Sequence, residues 1–222
     1  MTRTTNARLA GFTFLLYIVA GILSMVVSSR AMRGEGVAAQ LASIAQHTTD
    51  LRVVVLLSLL MCFCAVVLGV TLYAITREQD PDLAMLALSC RVGEGVLAGA
   101  GIPKLLALLW LATATGPDAP DTAAAHTLGA FLLRGNVALV ATFFAVGSLL
   151  FSWLLLRGRM IPMPLAWIGV VASVLLVVGL PLQLAGFLRG PIASLMWIPM
   201  AAFEVPLALW FLIKGVAAPA AR

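Results

Sequence analysis

Six continuous apolar runs constrain this chain more than any other feature of its sequence. They extend over about 9–27, 51–75, 83–111, 128–156, 163–188 and 192–213. At a helical rise of 1.5 Å per residue, each crosses roughly 30 Å of hydrocarbon. A bilayer offers backbone N–H and C=O groups no water, and a helix satisfies them within one segment. Membrane strands alternate strictly over about ten residues, and these runs do not alternate. The expected fold class is all-α: a polytopic integral membrane protein, six transmembrane helices in one bundle, forming a single domain over 1–222.

Composition excludes the alternatives. Of 222 residues, 62% are apolar and 10% are charged, whereas about 25% of an ordinary soluble domain is charged. So few charges cannot cover so much apolar surface in water. The net charge of +5 suggests a nucleic-acid partner, but the basic residues form no stripe and no aromatics interleave them, so none is expected. The three cysteines, Cys62, Cys64 and Cys90, sit inside apolar runs and read as small packing residues. Cys62 and Cys64 are two apart, so a helix points them to different sides and they cannot share a metal.

Arg3 and Arg8 precede the first run as they would in a signal peptide. That run exceeds an h-region of about 7–15 residues and no A-x-A-like site follows it, so a retained helix is expected. Orientation follows the Lys and Arg residues near the span ends. An inside N-terminus places Arg3, Arg8, Arg77, Arg157, Arg159, Lys214 and Arg222 inside, and Arg30, Arg33, Arg52 and Arg189 outside. Tyr73, Trp153, Trp167 and Trp210 then fall near inner ends, with Trp110 and Trp197 near outer ends, as interfacial aromatics do. Both termini are expected to be cytoplasmic. In the first outer loop, Val37, Leu41 and Ile44 recur at helical spacing. They predict a short amphipathic helix over 36–47, either on the membrane surface or packed on the bundle. The second outer loop carries Asp118, Asp121 and His126.

Charge inside the membrane is expensive, about 2.5–3.5 kcal/mol per residue on insertion scales. It persists where it is paired, solvated or used. Arg91, Glu94, Lys104, Arg134 and Glu204 all fall within runs, with Asn136 and Gln183 as uncharged polar company. Glu94 lies roughly 16 Å into the third helix and Glu204 roughly 15 Å from the inner end of the sixth. Both are near the midplane. Arg91 and Glu94 share a face at i, i+3. The economical arrangement pairs Arg91 with Glu94 and Arg134 with Glu204 in one interior cluster. Lys104 then either snorkels to the outer interface or leaves a positive excess that favours an anionic guest. Glycines at 93, 95, 99 and 101, with Pro103, Pro181, Pro199 and Pro206, interrupt the helices around these charges.

No phosphate-binding glycine loop, zinc-binding histidine pair or serine nucleophile elbow occurs. Only two His residues exist, both outside the runs, so haem held by paired histidines is excluded. No cofactor or metal is expected.

Three stretches resemble a known family. The opening Ala7-Arg8-Leu9-Ala10-Gly11, leading to Tyr17-Ile18-Val19-Ala20-Gly21, is similar to its first helix. Arg91-x-x-Glu94 and Arg134 resemble its third- and fourth-span pattern. The closing Glu204-Val-Pro-Leu-Ala-Leu-Trp-Phe-Leu-Ile-Lys-Gly215 is the most specific match. The family is the domain of unknown function 4386, and the resemblance covers about 7–216. It implies a six-helix bacterial membrane protein, expected in the plasma membrane, and brings no substrate or reaction. Three functions then compete. The leading one binds or transports a small amphipathic or anionic ligand, a small molecule or lipid, through the polar cluster of Arg91, Glu94, Lys104, Arg134, Asn136 and Glu204. The second is a structural or accessory subunit whose ion pairs only fix helix packing. The third is an intramembrane enzyme using Glu94 or Glu204.

Overall fold

The computed structural model describes residues 2–117, 119–134 and 138–217. Ten helices and no strand occur among the described residues. They are α1 (Arg3–Ala31), α2 (Val37–Gln46), α3 (Thr48–Thr76), α4 (Pro81–Gly99), α5 (Ile102–Thr113), α6 (Thr122–Leu133), α7 (Ala138–Arg157), α8 (Met163–Leu184), α9 (Pro191–Leu195) and α10 (Ile198–Ile213). Six helical stretches are long and apolar enough to cross a membrane: Arg3–Ala31, Thr48–Thr76, Pro81–Thr113, Thr122–Arg157, Met163–Leu184 and Ala193–Ile213. The exposed side chains fit a lipid surround, because Phe12, Val19, Leu56, Phe63, Val171 and Val178 face outward while Arg91 and Glu94 are buried. That inverts the pattern of a soluble domain.

The third run, expected to be continuous, breaks between α4 and α5. Gly101 donates to the Ala98 carbonyl in a tight turn, and Pro103 stands in the first turn of α5. Its missing N–H removes the bond that would continue the helix from Gly99. The fourth stretch starts earlier than expected, at Thr122, because Asp121 caps α6 by accepting from the Ala124 N–H at 2.7 Å. The sixth run divides into α9 and α10. Pro199 stands in the first turn of α10, where it opens the helix, leaving Pro206 as the interior proline.

The chain divides into two compact units. The first comprises 1–17, 63–96 and 137–222. Its α7 buries Ala138, Ala141, Ala145, Ser148 and Ser152, and its α8 buries Ala166, Gly169, Ala172, Ser173 and Gly179. These small-residue faces let the two helices pack closely. On α10, Met200, Phe203, Glu204, Leu207, Ala208 and Phe211 form one buried stripe at i, i+3, i+4, i+7 spacing, packed on α8. Short connections close one end of this unit. Asp80 caps α4 through the Leu83 N–H and lies 3.5 Å from Arg157, while Arg3 bonds Glu78 at 2.6 Å.

The second unit comprises 18–62 and 97–136. Its core gathers Ile44, Leu51, Val54 and Leu108, with Leu41, Leu105 and Leu132 against them. The expected amphipathic helix is α2. Its apolar face lies against α5 and α6, and Ile44 is fully buried, so within this unit it serves as core.

Candidate functional site

One turn of α4 places Arg91 and Glu94 on a common face, since residues three apart are helix neighbours. Arg91 Nη1 donates to Glu94 Oε2 at 2.7 Å, and each side chain is 1% exposed. The other carboxylate oxygen accepts from a different helix: the Tyr17 hydroxyl of α1 donates to Glu94 Oε1 at 2.7 Å. Both oxygens of Glu94 are thereby engaged. Charge-assisted bonds of this kind are roughly twice as strong as neutral ones.

Arg91 is enclosed on most sides. Its guanidinium carbon lies 5.1 Å from the centre of the Phe144 ring and 5.9 Å from that of Phe14, within cation–π reach. Two glycines make room for its stem. A Cβ at Gly69 would stand 3.0 Å from Arg91 Cβ, and one at Gly147 would stand 3.2 Å from its Cδ. Yet Nε and Nη2 are buried without a hydrogen-bond partner among the described residues. Such orphan donors cost about 1–3 kcal/mol each, and more when charged. Arg91 lines a small cavity with Phe14, Ser148, Ser152, Phe203 and Leu207. About 10 Å³ is open to the centre of a water molecule there, room for about one water.

Glu204 of α10 is 8% exposed. It makes no hydrogen bond or ion pair with the described residues, although Arg91, Glu94 and Tyr17 are within electrostatic reach. The expected Arg134–Glu204 pair is not formed. Because α6 ends at Leu133, Arg134 becomes its exposed C-terminal cap, where a cation suits the negative end of the helix dipole. Lys104 is partly buried in α5. Lys104 and Arg134 both belong to the second unit. Asn136 lies outside the described residues. No three His, Cys, Asp or Glu side chains converge into a metal site among the described residues.

The family model described as Domain of unknown function (DUF4386) matches residues 9–215. The chain belongs to this family. No curated protein and no solved structure matches it. The matched DUF4386 region contains every residue of the site, from Phe14 and Tyr17 on α1 to Glu204 on α10.

Sequence reasoning missed several of these groups. Tyr17 is one of only two tyrosines, and a hydroxyl placed inside an apolar run, away from its ends, was a readable signal for a buried acceptor. Ser148 and Ser152, four apart on α7, shared a face in the same legible way. Phe14 and Phe144 carried no signal, being apolar residues in apolar runs.

Proposed function

We propose that this DUF4386 member is a multi-pass protein of the bacterial plasma membrane that binds or transports a small amphipathic ligand by its anionic head at Arg91. The observation that carries this reading is the free Nε and Nη2 edge of a fully buried guanidinium beside a cavity. Those two donors lie in the fixed fork of arginine, which matches two oxygens of a carboxylate or phosphate. The rest of the lining suits an amphiphile, because Ser148 and Ser152 are its polar additions to phenylalanine and leucine. The cavity holds about one water as it stands, so a head group needs its apolar wall to open. Both termini are assigned to the cytoplasm on the Lys and Arg bias and on an even number of spans. A fluorescent-protein fusion at the C-terminus should then glow and an alkaline phosphatase fusion stay inactive; the reverse pattern refutes the orientation.

The binding reading is tested with purified protein in nanodiscs and octanoate as probe. Saturable octanoate binding is expected, with octanol much weaker. Arg91→Lys keeps the charge opposite Glu94 but removes the fork, and should weaken octanoate at least about tenfold. Equal binding of octanol, or an unaffected Arg91→Lys variant, overturns the reading.

The satisfied state of Glu94 favours a second reading, in which Tyr17, Arg91 and Glu94 only lock α1 to α4. Under it, Glu94→Gln and Glu204→Gln lower stability and no ligand response exists to be lost.

A further inference from the structure

Resting on the binding site just proposed, we infer that Glu204 makes this site proton-coupled: an anionic head docks on the free edge of Arg91 only when Glu204 carries a proton. Burial and the lack of a partner carry it. Glu204 is buried on the same α10 stripe as Phe203 and Leu207, which wall the cavity. Its carboxyl has no hydrogen-bond or ion-pair partner among the described residues. Arg91 and Glu94 of α4 and Tyr17 of α1 interact with it electrostatically. The neighbouring α8 contains no titratable residue, and α7 has only Arg157, at its end.

Charge accounting then sets the coupling. Arg91 and Glu94 neutralise each other, so an ionised Glu204 leaves the cluster with one net negative charge. A carboxylate guest would add a second, in a place where water cannot screen it. An ionised Glu204 would also compete with the guest for the charge of Arg91. A proton taken from water onto Glu204 removes both obstacles at once. No bond other than this O–H forms or breaks. The ligand class is thus a monoanionic amphiphile that binds together with a proton.

The experiment measures octanoate affinity from about pH 6 to about pH 9 in nanodiscs. Octanoate stays ionised across this range. In the parent protein, affinity should fall about tenfold per pH unit wherever Glu204 is ionised in the free state. Glu204→Gln, a permanent mimic of the protonated form, should bind octanoate with a flat profile. A flat profile in the parent, or a slope that survives in Glu204→Gln, overturns the coupling while leaving the binding site standing. Absence of octanoate binding in the parent overturns both. Should Glu204→Gln not fold, proton uptake by the parent on octanoate addition in weakly buffered solution decides the matter. Uptake approaching one proton per octanoate at the alkaline end is expected, and none refutes the coupling.

Discussion

Replacing Tyr17 with Phe removes one hydroxyl and little else. That hydroxyl gives Glu94 Oε1 its hydrogen bond, at 2.7 Å. Two magnitudes compete for the outcome. Hydrogen bonds to charged groups are worth about 1.5–3 kcal/mol. Interhelical polar contacts in membranes average only about 0.6 kcal/mol, because unfolded chains in lipid also find partners. The structure favours the larger value. The acceptor is a carboxylate 1% exposed, so its charge is poorly solvated and depends on the hydroxyl. A loss of about 1.5–3 kcal/mol is therefore expected. Unfolding by dodecyl sulfate in mixed micelles measures it, with Tyr73→Phe as control. The Tyr73 hydroxyl makes no hydrogen bond among the described residues, so its removal should change little. A Tyr17→Phe loss below about 0.5 kcal/mol, within the range of surface substitutions, would refute the claim that Glu94 depends on α1.

Three further outcomes follow from the packing. Gly11→Val should destabilise by about 1–3 kcal/mol, because a Cβ there meets the Ala208 carbonyl oxygen at 2.6 Å, a backbone atom that cannot step aside; normal thermal stability of the variant would refute the close approach. Ile44→Ala should lose about 2–5 kcal/mol, since Ile44 is 0% exposed in the second core, and a negligible loss would return α2 to the membrane surface. Glu78→Ala should change stability by less than about 1 kcal/mol, because Glu78 is 61% exposed in its pair with Arg3; a larger loss, insensitive to salt, would contradict a solvent-screened pair.

The architecture was legible in the sequence because hydrophobic length is a strong, additive signal. Six runs gave six stretches able to span a membrane, and the i, i+3 spacing of Arg91 and Glu94 gave their pairing outright. What escaped were features that depend on where helices stop. Pro103, expected to interrupt the third helix, opens a new one, α5, after the Gly99–Gly101 turn. Arg134 lies within the fourth membrane-length stretch, as expected, but at the point where α6 ends and not inside a continuous helix. The partners that join separate helices were equally hidden. That Tyr17, rather than a second arginine, completes the shell of Glu94 is a matter of tertiary placement, and no local pattern in the chain specifies it.

The identity of those partners alters the chemistry of the site. Three cations and two anions within the runs point to a positive excess, and a positive excess would hold an anion without help. The group assembled in the first unit contains one cation, Arg91, and two carboxyl groups, Glu94 and Glu204. Its excess is negative unless a proton resides on Glu204. On the proposed reading, the free edge of Arg91 still favours an oxygen anion, because its two donors match a carboxylate or phosphate. The same cluster therefore attracts an anion through its geometry and resists it through its charge. A proton reconciles the two, since it neutralises Glu204 without occupying the edge that the anion needs. A metal cation would neutralise the same charge, but it would need several oxygen ligands, and both oxygens of Glu94 are already engaged by Arg91 and Tyr17. Under the proposed coupling, the hydroxyl of Tyr17 would contribute to selectivity as well as to stability: by holding Glu94 it would leave Glu204 alone to answer for the charge of the guest.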